Sequence, residues 1–420
     1  MTIKEEPSWC LILKFNEIYT YLNPQDLINL SLLNKQLRYK LKCLVLSSFN
    51  ITNLQKIQAL SHHISDTGIK TNLLLTTKFI TNAVFNTQLG LQSFMLSSRY
   101  LQNLSTLTLS KMDIQLPVIN ELIVNLDNLR QLELIKVHII TEYSVVDYNK
   151  DLKLTTNLSH LALDSCTWIC YDSDNTSSFV WSREGDHGPY LNLSTQTYPS
   201  LKSLKLIEMN ARNHSLINNF LSNNSQLKTI EFKLNEIDPL TIDLIQKSPQ
   251  INELAIWNSI NVSNFMSNQL ERCLCSIKSM KFYNILENTN FEGIANILEL
   301  CPNVETLDLG YFTQFTGIYK SMLDNLTQLK ALTFVNNTKV TDFSRFNELG
   351  SLSLDTVRLV NFNVKEINLN EFDNFRKLNR LALELTKKDR ESVEFINNNL
   401  KRFGNWRVIE FLESINCYKV

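Results

Sequence analysis

One short apolar phrase recurs along this chain, and its spacing limits the architectures open to it. The phrase is an apolar residue, two residues, a second apolar residue, one residue, a third apolar residue. Its plainest copy is Val304-Glu305-Thr306-Leu307-Asp308-Leu309. Copies start at Leu104, Leu129, Leu158, Leu201, Leu227, Ile251, Ile277, Val304, Leu329, Leu354, Leu378 and Trp406. The steps between them are 25, 29, 43, 26, 24, 26, 27, 25, 25, 24 and 28 residues. The closing period-2 triplet of each copy reads as a short strand with one face inward. What is left of each unit suffices for a turn, a helix and a return loop. One such unit cannot bury its apolar face alone, so neighbours must stack. Consecutive parallel strands need a crossover of about a dozen residues or more, and the step supplies it.

Steps of this size resemble the leucine-rich repeat. The resemblance implies an α/β fold: a leucine-rich-repeat solenoid, or horseshoe, of the ribonuclease-inhibitor-like kind, with a parallel concave sheet and convex helices. The array is expected over 104–420. Residues 47–103 read as degenerate first repeats, with Leu44-Val45-Leu46 and Leu73-Leu74-Leu75 as candidate strands. The copy at Trp406 is expected to be the last strand, followed by a short cap. Three residues after each triplet, at Met112, Val137, Cys166, Met209, Asn235 and Asn337, the chain is expected to turn inward.

The 420 residues carry a formal net charge of -1, so nothing in the balance favours nucleic acid or an anionic membrane. No apolar run approaches the ~20 residues of a membrane helix. The start, Met1 to Pro7, has no apolar signal core. The Asn-X-Ser/Thr triplets at Asn103, Asn157 and Asn325 then read as Asn-rich composition. The eight cysteines are irregularly placed and read as reduced thiols of a cytoplasmic or nuclear protein.

Residues 9–46 lack the repeat. In Tyr21-Leu22-Asn23-Pro24-Gln25-Asp26-Leu27, Asn23 is a good N-cap, Pro24 suits the first helical position and Asp26 complements the helix dipole. Leu27, Leu30, Leu33 and Leu37 then fall on one helical face. This stretch, with Leu30-Ser31-Leu32-Leu33 after it and Glu17-Ile18 before it, resembles an F-box. The family's opening Leu-Pro falls at Cys10-Leu11, where no Pro stands, and its frequent Trp falls at Leu37. The resemblance implies docking on an SKP-type adaptor, and through it a cullin, by way of Ile18, Leu22, Pro24, Leu27, Leu30 and Leu33. It further implies a substrate-recognition subunit of a ubiquitin ligase, with a target protein held by the repeats. Two alternatives stand beside it: a repeat scaffold or assembly protein with no ubiquitin role, and a leucine-rich GTPase-activating protein.

The long step from Leu158 to Leu201 marks an inserted loop at about 168–198 that holds Trp168 and Trp181. Insertions in solenoids map to loops, and such a loop is either a tolerated excursion or part of a binding face. Strand alternation puts Glu253, Ala255 and Trp257 in one outward row, Ser279, Lys281 and Tyr283 in the next, then Thr306, Asp308 and Gly310, with Tyr311 one position on. Trp257 beside Tyr283 would give the face two exposed aromatics, the usual anchors of an interface. Glu253, Trp257, Lys281, Tyr283, Asp308 and Tyr311 are therefore the candidate substrate-binding residues.

No nucleophile, zincin or phosphate-loop pattern occurs, and no cofactor or catalytic role is expected. His160, Cys166 and Cys170 have metal-like spacing, but Cys166 sits at an inward repeat position. Cys273 and Cys275 are too close for a usual zinc pair.

Overall fold

The computed structural model describes residues 19, 22–33, 35–51, 79–86, 101–142, 152–171, 190–207, 214–233, 238–257, 273–285, 289, 291–336, 345–384, 395, 404–411 and 414–420. The chain divides into two compact units, Met1–Leu158 with Cys166–Asp186, and Ser159–Ser165 with His187–Val420.

In the first unit, helix α1 (Pro24–Leu33) starts where the sequence places it: the Asn23 side chain accepts from the Asp26 amide at 2.8 Å. A second helix, α2 (Lys35–Val45), follows at once. Tyr19, Leu27 and Leu41 form a small core, with Leu22, Leu30 and Val45 packed on it. The single leucine face expected from the sequence does not form. The helix ends at Leu33, so Leu37 belongs to α2, and the inward positions of α1 are Leu27 and Ser31, four residues apart. Leu33 points away and is 70 % exposed. Leu44 and Val45, a candidate strand, end α2 instead. Strands β1 (Ser48–Ile51), β2 (Asn82–Phe85), β3 (Thr106–Gln115) and β4 (Gln131–Glu142) then pair in parallel in chain order. Leu73-Leu74-Leu75 lies outside the described residues.

The insertion is not all loop. Thr167–Tyr171 forms strand β6, parallel to the far end of β4, where His138 faces Thr167 and Glu142 faces Tyr171. β-branched and aromatic residues suit a strand, and the length of β4 offers them an edge. Tyr190–Thr195 is a helical turn and a half. Residues 172–189, with Trp181, lie outside the described residues.

In the second unit, β5 (His160–Asp164), β7 (Ser203–Ile207), β8 (Thr229–Lys233), β9 (Glu253–Trp257), β10 (Ser279–Tyr283), β11 (Thr306–Gly310), β12 (Ala331–Val335), β13 (Thr356–Val360) and β14 (Arg380–Glu384) pair in parallel, each beside the next. The register joins equivalent repeat positions: Met280 faces Leu254 and Leu307, and Leu307 faces Leu332. Triplet residues are buried throughout. Helices such as Pro239–Gln246, Phe291–Glu299 and Thr316–Asn325, and 3-10 turns further on, carry the returns. The fold is an α/β leucine-rich-repeat solenoid.

Five repeats change face soon after the triplet. Lys111, Lys136, Ser165, Asn284 and Asn361 all have φ between 51° and 63°. Each stands two residues after the last triplet residue, and the residue behind it (Met112, Val137, Cys166, Ile285, Phe362) is buried. A left-handed residue thus rotates the chain by one face and sends the next side chain inward. Met209, Asn235 and Asn337 lie outside the described residues.

The end of the array departs from the expectation. Trp406–Glu410 (β15) is not a further parallel strand. It pairs antiparallel with β16 (Ser414–Lys419), which lies between β14 and β15 and is antiparallel to both. Trp406, Ile415 and Cys417 are buried there. A hairpin closes the last repeat with its own apolar residues, where a parallel strand would have left another open end. Cys273 and Cys275 are joined in a disulfide, against the reading of all cysteines as reduced, while Cys43, Cys166, Cys301 and Cys417 are free thiols.

Candidate functional site

The outward side chains of β5 to β11 build a polar and aromatic surface in the second unit. Its centre is Trp257. The indole leans back across the small Ala255 of its own strand and donates to a carboxylate oxygen of Glu231 at 2.6 Å. Lys205, the register partner of Glu231, puts its ammonium 2.8 Å from that carboxylate and 4.8 Å from the centre of the Trp257 ring. Lys205 also reaches Asp164 at 3.9 Å. On the other side, Tyr283 is the register partner of Trp257, and the two rings lie 5.0 Å apart at 38°. Tyr283 is 36 % exposed.

Lys281 bonds Glu253 at 2.5 Å. That bond, foremost, holds its ammonium above the ordinary lysine value. Burial is the main cause that raises the Tyr283 hydroxyl, so the ring presents itself as a neutral phenol. Asp308 is the register partner of Lys281 and acts electrostatically on both Lys281 and Tyr283.

Five of the residues expected at a substrate site, Glu253, Trp257, Lys281, Tyr283 and Asp308, thus share one face, and Tyr311 does not. It is 2 % exposed and packs among Tyr319, Phe334, Phe346 and Phe362. The reason is the alternation itself: Leu307, Leu309 and Tyr311 have the same parity. The Tyr311 amide continues the strand pattern by donating to the Val335 carbonyl, and no left-handed residue intervenes to turn it out. Glu231, the residue that orders the cluster, was not singled out from the sequence. The same alternation applied to β8 finds it between Ile230 and Phe232.

Of the residues expected to meet an adaptor, Leu22, Leu27 and Leu30 belong to the small helical core, and Leu33 is exposed. Leu22, Asp26, Asn29, Leu30 and Leu33 line an open hollow of about 310 Å³. Pro24 opens α1, and Ile18 lies outside the described residues. Among the described residues, no His, Cys, Asp or Glu group could hold a metal, and no helix is long and apolar enough to cross a membrane. Cys166 donates its thiol to the Leu134 carbonyl at 3.1 Å.

No family model and no curated protein matches the chain. Among solved structures it is similar to TLR13 in its complex with ssRNA13, at 16% identity and a TM-score of 0.38, over 73% of this chain and 46% of that one. It is similar to an internalin of Listeria monocytogenes, at 17% and 0.30, over 75% and 89%. It is also similar to the leucine-rich repeat-containing protein LegL7 of Legionella pneumophila, at 12% and 0.35, over 77% and 89%. The chain spans under half of the TLR13 chain and most of the two bacterial ones.

Proposed function

We propose that this protein is a substrate-recognition subunit of an SKP–cullin–F-box ubiquitin ligase, with α1 and its surroundings docked on the adaptor and the sheet face of the second unit holding a target protein. The observation that carries the reading is the apolar surface of α1. Leu32 is 63 % exposed and Leu33 is 70 % exposed, beside the hollow that Leu30 and Leu33 help to line. Neighbouring exposed leucines on so short a helix are costly to leave in water. They follow the Leu22-Asn23-Pro24 segment on which the F-box resemblance rests. The chain itself performs no chemistry in this reading. It raises the effective concentration of a target lysine at the ligase.

The test is a pull-down of the purified chain with an SKP-type adaptor and a cullin, wild type against Leu32→Asp plus Leu33→Asp. These positions are chosen because Leu27 is buried, and an aspartate there would disrupt the segment's own core. The wild type is expected to retain both partners and the variant neither, with unchanged circular dichroism. Retention of the adaptor without the cullin would move the chain to a scaffold with no ligase role. Retention of neither by the wild type would sink the reading.

A further inference from the structure

The sheet face contains one complete carboxylate–cation–aromatic group and, two strands on, a ring and a carboxylate that no cation among the described residues bridges by a direct bond. In the complete one, the Lys205 ammonium lies over the Trp257 ring and pairs with Glu231, and ring and carboxylate stand on adjacent strands. In the second, the Tyr283 ring and the Asp308 carboxylate again stand on adjacent strands, within electrostatic reach of each other. No cation among the described residues bonds to it: Lys281, the register partner of Asp308, acts on both groups only through its field, and Arg358 stands two strands beyond Asp308. Lys281 is drawn to Glu253, and Arg358 is paired with Glu384. Asp164, Glu231, Glu253 and Glu384 each hold a cation. Asp308 forms no hydrogen bond or ion pair among the described residues.

We propose that Tyr283 and Asp308 receive a lysine or arginine side chain from a basic, extended segment of the partner protein. The proposal rests on the reading of this face as a protein-binding surface. Two attractions converge on such a cation: the negative face of an exposed ring and a carboxylate whose oxygens are bonded to no cation among the described residues. An acidic segment would meet that carboxylate as a like charge. The edge of Trp257 extends the aromatic surface, so the aliphatic stem of the incoming side chain has apolar area to cover.

The experiment uses the full chain and labelled octa-arginine, octa-lysine and octa-glutamate peptides, followed by fluorescence anisotropy at about 0.05 M and 0.3 M salt. The cationic peptides are expected to bind. Asp308→Asn is expected to weaken them about tenfold, and Tyr283→Leu to weaken them by a smaller but clear factor. Asp324→Asn removes the same charge from an exposed helix position and is expected to change affinity less than about twofold. Equal losses in Asp308→Asn and Asp324→Asn would reduce the effect to net charge and overturn the proposal, as would the absence of cationic binding. Octa-glutamate bound by the wild type and lost in Trp257→Ala would keep the face as a binding surface and overturn only its preference for cations.

Discussion

Trp257 and Glu231 are joined diagonally between adjacent strands, indole N–H to carboxylate at 2.6 Å, Ala255 being the register partner of Glu231. Trp257→Phe keeps a ring against Tyr283 and loses this bond. Both groups are only part-buried, so water replaces much of what is lost, and the expected cost is about 0.5–1.5 kcal/mol. Trp257→Ala also removes the ring pair, which adds roughly 0.5–1.5 kcal/mol. Urea midpoints at unchanged slope measure both. Equal costs for the two variants would mean that the ring pair contributes nothing.

The left-handed residue that follows the triplet in five repeats makes a second prediction. Lys136 has φ 54° and is exposed, so its side chain has no packing to lose. Removing the Cβ strain gains about 1–2 kcal/mol, while glycine's extra freedom in the unfolded chain costs roughly 0.5–1 kcal/mol. Lys136→Gly should therefore be neutral or stabilising by up to about 1.5 kcal/mol. Lys136→Val, branched at Cβ in a conformation such residues avoid, should destabilise instead. Thermal melts of both variants give the sign directly.

What the sequence reveals about this molecule follows from what repeats. A triplet copied every 24 to 29 residues, save for the one step of 43, fixes strand, face and register together, so Glu253, Trp257, Lys281, Tyr283 and Asp308 fall on one surface as the alternation requires. Features that occur once leave no such trace. Tyr311 keeps the inward parity of Leu307 and Leu309 because its repeat lacks the left-handed residue that shifts the face elsewhere, and whether that residue is present is a backbone property the side-chain pattern does not carry. Trp406 fits the repeat phrase, yet Ser414–Lys419 competes for the edge of Arg380–Glu384 and takes it antiparallel. The break between Leu33 and Lys35 separates two helices that one leucine pattern had joined.

The N-terminal segment should be fragile at its cap and tolerant on its outer face. Asn23→Ala removes the acceptor for the Asp26 amide, at a cost of about 1 kcal/mol. Asn23→Asp should retain it. Leu33→Asp lies in solvent and should change stability by no more than about 0.5 kcal/mol. Leu27→Asp, at a position 8 % exposed, places an uncompensated charge against Tyr19 and Leu41 and should unfold the segment. Hydrogen exchange of the α1 amides reads each effect locally. Loss of protection in Leu33→Asp equal to that in Leu27→Asp would contradict this division of the helix.

Cys301 and Cys417 carry the last prediction. Burial pushes each thiol up to about 12. In the native protein at pH 8 about one thiol in 10⁴ at these positions is ionised, so neither should react with a thiolate-seeking reagent. Cys43, exposed and free, should react before the buried Cys166, Cys301 and Cys417. Peptide mapping after brief alkylation resolves the sites, and alkylation in denaturant without reductant should leave Cys273 and Cys275 unlabelled as a linked pair. The raised values also set a pH dependence. Below the ordinary thiol value, about 9, native and unfolded chains both hold these protons and pH has no effect through them. Between there and about 12 the unfolded chain gives them up while the native one keeps them, so stability falls as pH rises. Cys301→Ala should lower stability at neutral pH by opening a small void, and should flatten the alkaline slope. A slope identical to wild type in that variant would show that the Cys301 thiol titrates alike in both states.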